Sequence, residues 1–147
     1  MIRNAGKYLF NQAEKAFSGV FPGELNPLYH LGTLSFFLFW IVAGTGLYIF
    51  VFFETSIAGA YDSVEYLSVE QWYLGGVMRS LHRYASAAMS LTVTLHLLRE
   101  FVMGRYQGVR FFSWISGVPL LWLLFASAIG GYWLVWDQLA QYIAILS

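Results

Sequence analysis

The chain has 147 residues, of which 59% are hydrophobic, 20% aromatic and only 11% charged, a balance too apolar for a water-soluble domain and expected of a membrane-embedded one. Its formal net charge is zero, so neither nucleic acid nor a strongly charged substrate is indicated. The absence of cysteine excludes a disulfide framework, thiolate-held iron–sulfur clusters and attachment of a c-type haem through Cys-x-x-Cys-His.

From Met1 to about Phe21, the residues Ile2, Ala5, Leu9, Ala13, Phe17 and Val20 recur at helical spacing, while Arg3, Lys7, Asn11, Glu14 and Lys15 take the other side. The pattern predicts an amphipathic helix lying in the membrane interface, and it would equally suit a helix packed on a partner subunit. It lacks the short basic stretch leading into an apolar run that marks a cleavable signal peptide. Pro22 and Gly23 end it, and Asn26 and Pro27 lead into the next element. Residues 1–25 are therefore read as the interfacial helix and 26–147 as one membrane domain.

Residues 31–53 form an uncharged run of 23, long enough to cross a hydrocarbon core of about 30 Å as a helix. Tyr29 and His30 stand at its edge, and His30 is read as a hydrogen-bonding interfacial group before it is read as a ligand. Residues 54–75 carry Glu54, Asp62, Glu65 and Glu70 without a basic residue, and YDSVEYLSVEQWYL within them predicts a short surface helix. A second span is expected over about 76–102 and a third, uncharged, over about 118–136. In the third, Trp122, Trp133 and Trp136 stand mostly towards the ends, with Trp114 just before it, and Pro119 falls in the first turn, where proline is tolerated. Asp137 and Gln138 close it, and no fourth span is expected. Arg99, Arg105 and Arg110, with the basic residues before the first span, place the N-terminus on the cytoplasmic side by the positive-inside rule, so the acidic loop faces outward.

The second span carries His82 and His96, fourteen residues apart. Fourteen residues of α-helix rise about 21 Å and turn to within roughly 40° of four full turns, so the two imidazoles share one face near opposite membrane surfaces. Ionisable groups at membrane depth are costly and mark functional pathways, and imidazole is a common axial ligand of haem iron; a pair of interhelical hydrogen-bonding histidines is the plainer alternative. The same interval separates Gly32 from Gly46 and Gly117 from Gly131 in the flanking spans. Glycine lets another body approach a helix backbone closely, as a flat macrocycle would require, though small-residue helix packing also uses it. In an up-down-up arrangement Gly32, His96 and Gly117 share one level, and Gly46, His82 and Gly131 the other. Two haem planes explain all six positions. Arg79, Arg83 and Arg99 flank the histidines, where guanidinium groups either snorkel to headgroups or pair with haem propionates.

The segments RSLHRYASAAMSLTVTLHLLREF and GYWLVWDQ resemble the N-terminal haem-binding region of cytochrome b, and most closely the short b6 form, over nearly the whole stretch from Asn26 to Leu146. The resemblance implies an all-α membrane protein whose three transmembrane helices are part of a four-helix haem-binding bundle. It implies two noncovalent b haems, with His82 on the outer iron and His96 on the inner one, Arg79, Arg83 and Arg99 at propionates or haem edges, and Gly32, Gly46, Gly117 and Gly131 making room for the rings. The family's fourth helix, which carries the second axial histidine of each haem, has no counterpart here, so either the sequence is truncated or a partner subunit supplies it. His30 stands where the short form has a cysteine that tethers an extra haem, which leaves only a noncovalent haem contact possible there. Val135 replaces the family's proline before Trp-Asp-Gln, at the outer quinol pocket.

The expected function is that of a diheme b-type cytochrome subunit of a quinol oxidoreductase of the bc/b6f kind, in the cytoplasmic membrane of a bacterium. It would pass electrons from quinol between an outer and an inner haem, with a Rieske protein or c-type cytochrome as acceptor, membrane lipid around it and catalysis dependent on partner chains. No catalytic residue is assigned within the chain. Two alternatives are a haem b anchor delivering quinol electrons to a multihaem cytochrome or periplasmic reductase, and a haem-free membrane scaffold or transporter subunit.

Overall fold

The computed structural model describes residues 2–146, of Ile2 the backbone alone; Met1 and Ser147, and the Ile2 side chain expected on the apolar face of the first helix, lie outside it. The described residues are helical throughout their regular structure, with no strand among them. Six α-helices follow in chain order: α1 (Ile2–Ser18), α2 (Leu31–Phe52), α3 (Ala60–Val69), α4 (Val77–Val102), α5 (Phe111–Leu134) and α6 (Gln138–Leu146). Two stretches, Leu31–Phe52 and Gly108–Leu134, are long and apolar enough to cross a membrane. The second expected span, α4, is the longest helix among the described residues at 26 residues but carries Arg79, Arg83, Arg99 and Glu100.

The chain divides into two compact units, one built from residues up to Phe37 with Met89–Trp122, the other from Leu38–Ala88 with the residues after Trp122. In the first unit, α1 is tied to the start of α2 through Asn26, which is 0% exposed. Its Nδ2 donates to the Glu14 carbonyl and to Ser18 Oγ, both at 3.0 Å, and its Oδ1 accepts from the Leu28 N–H at 3.0 Å. Pro27 in the first position of the turn Pro27–Tyr29 needs no such partner, because it has no N–H to satisfy. Gly6 faces Val102, whose nearest methyl lies 3.0 Å from where a Cβ would stand, so glycine lets α1 close on the end of α4. Tyr8, Leu9 and Phe17 stay exposed along α1, and Val20 beyond its end, leaving an apolar face as the amphipathic pattern requires.

The third apolar helix begins earlier than its sequence suggests. It starts at Phe111, not near residue 118, so Pro119 is the ninth residue of the helix and not in its first turn. Tertiary aromatic packing overrides the proline signal: the Trp114 ring lies 5.6 Å from Phe101 and 5.4 Å from Tyr106, and its Nε1 donates to the Leu97 carbonyl at 3.4 Å. Those contacts hold residues 111–117 helical, although proline removes the N–H that would bond the Ile115 carbonyl.

In the second unit, α3 is the surface helix expected in the acidic loop, and it packs on the π-helical turn Trp72–Gly76 that leads into α4. Leu67 is fully buried in that contact, and Gly75 lies directly on its backbone carbonyl. Tyr48 on α2 donates to Gln71 Oε1 at 3.0 Å, joining this turn to the first span.

Candidate functional site

In the second unit, His82 projects from α4 onto α2 beside Gly46. A Cβ on Gly46 would stand 3.0 Å from the ring's Cε1 and 3.4 Å from Nδ1, so only glycine gives the imidazole this place without displacement. Nδ1 lies 3.1 Å from the Val42 carbonyl and 3.1 Å from Thr45 Oγ1. The Thr45 hydroxyl, 2.6 Å from the Ile41 carbonyl, spends its proton there, so its oxygen is an acceptor towards the ring. Both neighbours of Nδ1 accept, which assigns the proton to Nδ1 and leaves the Nε2 lone pair free, with no partner among the described residues. A backbone carbonyl on one ring nitrogen and an unpaired second nitrogen is the arrangement by which a protein orients a metal-ligating imidazole.

In the first unit, His96 lies against Gly32 in the same manner: a Cβ there would stand 3.2 Å from Cε1 and 3.3 Å from Nε2. Among the described residues neither ring nitrogen of His96 has a hydrogen-bond partner. One turn away, Ser35 Oγ donates to Thr92 Oγ1 at 2.9 Å, a buried hydroxyl contact that fixes the register of α2 against α4 at this ring.

The two flanking glycines of α5 behave differently from each other. Gly117 is covered by Leu97, 3.2 Å from the position of a Cβ, whereas nothing approaches Gly131 within 4 Å. The structure thus sets Gly32 against His96 and Gly46 against His82, but brings neither Gly117 nor Gly131, which the sequence pattern put at the same two levels, within 4 Å of an imidazole. Of the arginines, Arg79 is exposed and donates from Nη1 to Ser68 Oγ at 2.8 Å, and Arg83 is exposed beside His82. Arg99 is buried and bonded to Glu14. His30, exposed, has its Nε2 2.7 Å from the Glu24 carbonyl, so that nitrogen serves the linker between α1 and α2.

Thr45, Glu14 and Tyr29 are the partners that sequence reasoning passes over. Glu14 had a signal, being the only acidic residue of α1. Thr45 had little beyond its place next to Gly46.

Among the described residues no group of three or more His, Cys, Asp or Glu side chains converges to hold a bare metal ion. A haem needs no such group, because the porphyrin brings four equatorial nitrogens and asks the protein only for axial donors. His82, with an oriented ring and a free Nε2, fits that requirement.

Residues 16–146 match the family model described as Cytochrome b/b6/petB. The chain is 32% identical over 130 residues to the cytochrome b6 of Desmonostoc sp. (strain PCC 7906), covering 88% of this chain and 60% of that protein. It is 31% identical to the cytochrome b6 of Synechococcus sp. (strain CC9605) and 32% to that of Porphyra purpurea, each over 121 residues, which is 82% of this chain and 55% and 56% of those proteins. The chain thus spans a little over half the length of these relatives.

Proposed function

The chain belongs to the cytochrome b/b6 family, and on that premise we propose that it is the haem-holding membrane subunit of a quinol oxidoreductase, passing electrons from quinol between two noncovalently bound b haems. In this reading residues 1–25 form the interfacial segment, 26–147 form the haem-binding domain, and α2, α4 and α5 cross the bilayer with the N-terminus cytoplasmic. At 26 residues α4 is about 39 Å long, more than the roughly 30 Å hydrocarbon core, so charges at its two ends can reach the headgroup regions. His82 then serves the outer haem and His96 the inner one.

The observation that carries the proposal is the His82 ring, its Nδ1–H directed to the Val42 carbonyl and Thr45 Oγ1 and its Nε2 free, against a glycine that a side chain would spoil. Bound haem supplies a reversible one-electron centre whose potential the protein tunes. This chain's residues do the remaining work. The Val42 carbonyl and Thr45 fix the tautomer and plane of His82. Gly46 and Gly32 keep α2 close enough to α4 for the imidazoles to lie between them. Arg79 and Arg83, exposed near His82, offer guanidinium groups to anionic ring substituents. The second axial histidines would come from a fourth helix, supplied either by a continuation of this chain or by a partner subunit, electrons leave to a Rieske protein or c-type cytochrome, and His30 is available to an additional haem only through Nδ1.

Pyridine haemochrome analysis of the native complex in mild detergent tests the proposal. Two b haems per chain are expected; an intact complex without b haem would overturn it.

A further inference from the structure

Each histidine of α4 lies against a glycine of α2, His82 against Gly46 and His96 against Gly32, but the two rings are held differently. At His82 the turn of α2 that ends at Gly46 supplies two acceptors to Nδ1, the Val42 carbonyl and Thr45 Oγ1, each at 3.1 Å. At His96 that turn is missing, because α2 begins at Leu31 and the residues before it belong to the separate turn Pro27–Tyr29. The place of Thr45, one residue before the glycine, is taken there by Leu31, whose side chain has no acceptor. Among the described residues neither ring nitrogen of His96 has a partner.

Thr45 is set to accept. Its hydroxyl donates to the Ile41 carbonyl at 2.6 Å, with the Val42 carbonyl at 3.2 Å as a second acceptor, the back-bonding open to a threonine inside a helix. The proton is therefore turned to the helix backbone, and the oxygen's lone pairs are left to the ring. Thr45 is 5% exposed, so water does not take its place against Nδ1. The contact uses the nitrogen opposite the one open to iron, so metal at Nε2 leaves it intact.

The strength of an N–H donor depends on the charge carried by its ring. A ferric centre on Nε2 holds one more positive charge than a ferrous one and draws electron density from the imidazole, so Nδ1–H donates more strongly in the oxidised state. Acceptors at Nδ1 therefore stabilise the oxidised state over the reduced one, and hydrogen bonding around an axial ligand is one of the levers by which a protein sets a haem's potential. Resting on the proposed haem at His82, we infer that Thr45 is a positioning residue for its redox chemistry: by accepting from His82 Nδ1 it keeps the potential of that haem lower than the Val42 carbonyl alone would set it.

Spectroelectrochemical titration of the native complex tests this with Thr45→Ser, Thr45→Cys and Thr45→Val. Serine keeps the hydroxyl, a thiol is a weak acceptor, and valine has the shape of threonine with no acceptor. Losing one of two acceptors from a bond that strengthens with ring charge changes the one-electron equilibrium about three- to tenfold, which is about 28 to 59 mV. Thr45→Val should raise the potential of the retained His82 haem by that amount, Thr45→Cys should raise it by less, and Thr45→Ser should stay near the parent. The His96 haem should stay where it is in all three. Where Thr45→Val holds too little outer haem to titrate, Thr45→Cys set against Thr45→Ser decides by the same comparison. An unchanged His82 potential in the variants without the hydroxyl overturns the inference and leaves the haem proposal standing. A shift of equal size in Thr45→Ser, or one shared by the His96 haem, also overturns it, because lost packing is then the cause. Absence of b haem in the parent complex overturns both.

Discussion

Replacing Gly46 by alanine, set beside the same change at Gly131, separates the glycines that the structure uses from those it leaves open. At Gly46 the new Cβ would stand 3.0 Å from His82 Cε1, inside the 3.5–4.0 Å of an optimal carbon contact, so the ring must move by about 0.5 Å or more. The ring resists, because moving it lengthens two hydrogen bonds of 3.1 Å from Nδ1. Overpacking of this kind costs about 1–3 kcal/mol, against which alanine returns about 1 kcal/mol of helix propensity. The net effect on the fold is thus a destabilisation of at most about 2 kcal/mol. The effect on haem should be larger, since a ligand displaced by about 0.5 Å leaves productive geometry, and disturbing the orienting shell of a ligand typically weakens metal binding 10- to 100-fold. At Gly131 nothing lies within 4 Å, so alanine there should leave the protein without haem unharmed or slightly more stable, by up to about 1 kcal/mol. If Gly131 faces a haem ring, Gly131→Ala should nonetheless lose the outer haem. Haem content by pyridine haemochrome and thermal unfolding in detergent read the two effects separately. Gly46→Ala with a full haem complement and unchanged potentials would refute the reasoning.

Asn26→Ala removes a fully buried side chain making three hydrogen bonds of 3.0 Å; at about 1 kcal/mol each, α1 should loosen by about 2–3 kcal/mol and trypsin should cut after Lys15 markedly faster. Thr45→Val keeps the shape but deletes one of the two acceptors on His82 Nδ1; with the Val42 carbonyl still in place the fold should lose only about 1 kcal/mol, while outer-haem retention falls in a spectroscopic assay. Pro119→Ala restores the N–H missing from the interior of α5 and should raise the unfolding temperature of the detergent-solubilised protein, since an interior proline costs up to about 3 kcal/mol.

What could be read from the sequence is what depends on periodicity. The fourteen-residue intervals placed His82 over Gly46 and His96 over Gly32, because a 3.6-residue helix and an antiparallel neighbour leave few other registers. The surface helix expected in YDSVEYLSVEQWYL is found in part, as α3 over Ala60–Val69, with the last residues of that stretch in the π-helical turn from Trp72. Contacts between distant parts of the chain were not legible. Nothing local told that Glu14 would reach across 85 positions to accept from the Arg99 guanidinium. The start of α5 at Phe111 was hidden by Pro119, a genuine local signal that the packing of Trp114 on Phe101 and Tyr106 outweighs. The difference between Gly117, covered by Leu97, and Gly131, open, is likewise a matter of neighbours and not of pattern.

The most direct measurement is the dithionite-reduced minus oxidised spectrum of the native complex carrying His82→Ala or His96→Ala. Two b haems held by separate histidines predict a composite α band in the parent from which each variant removes one component and leaves the other. Variants that keep the full band in a stable complex would contradict the assignment of these histidines as haem ligands.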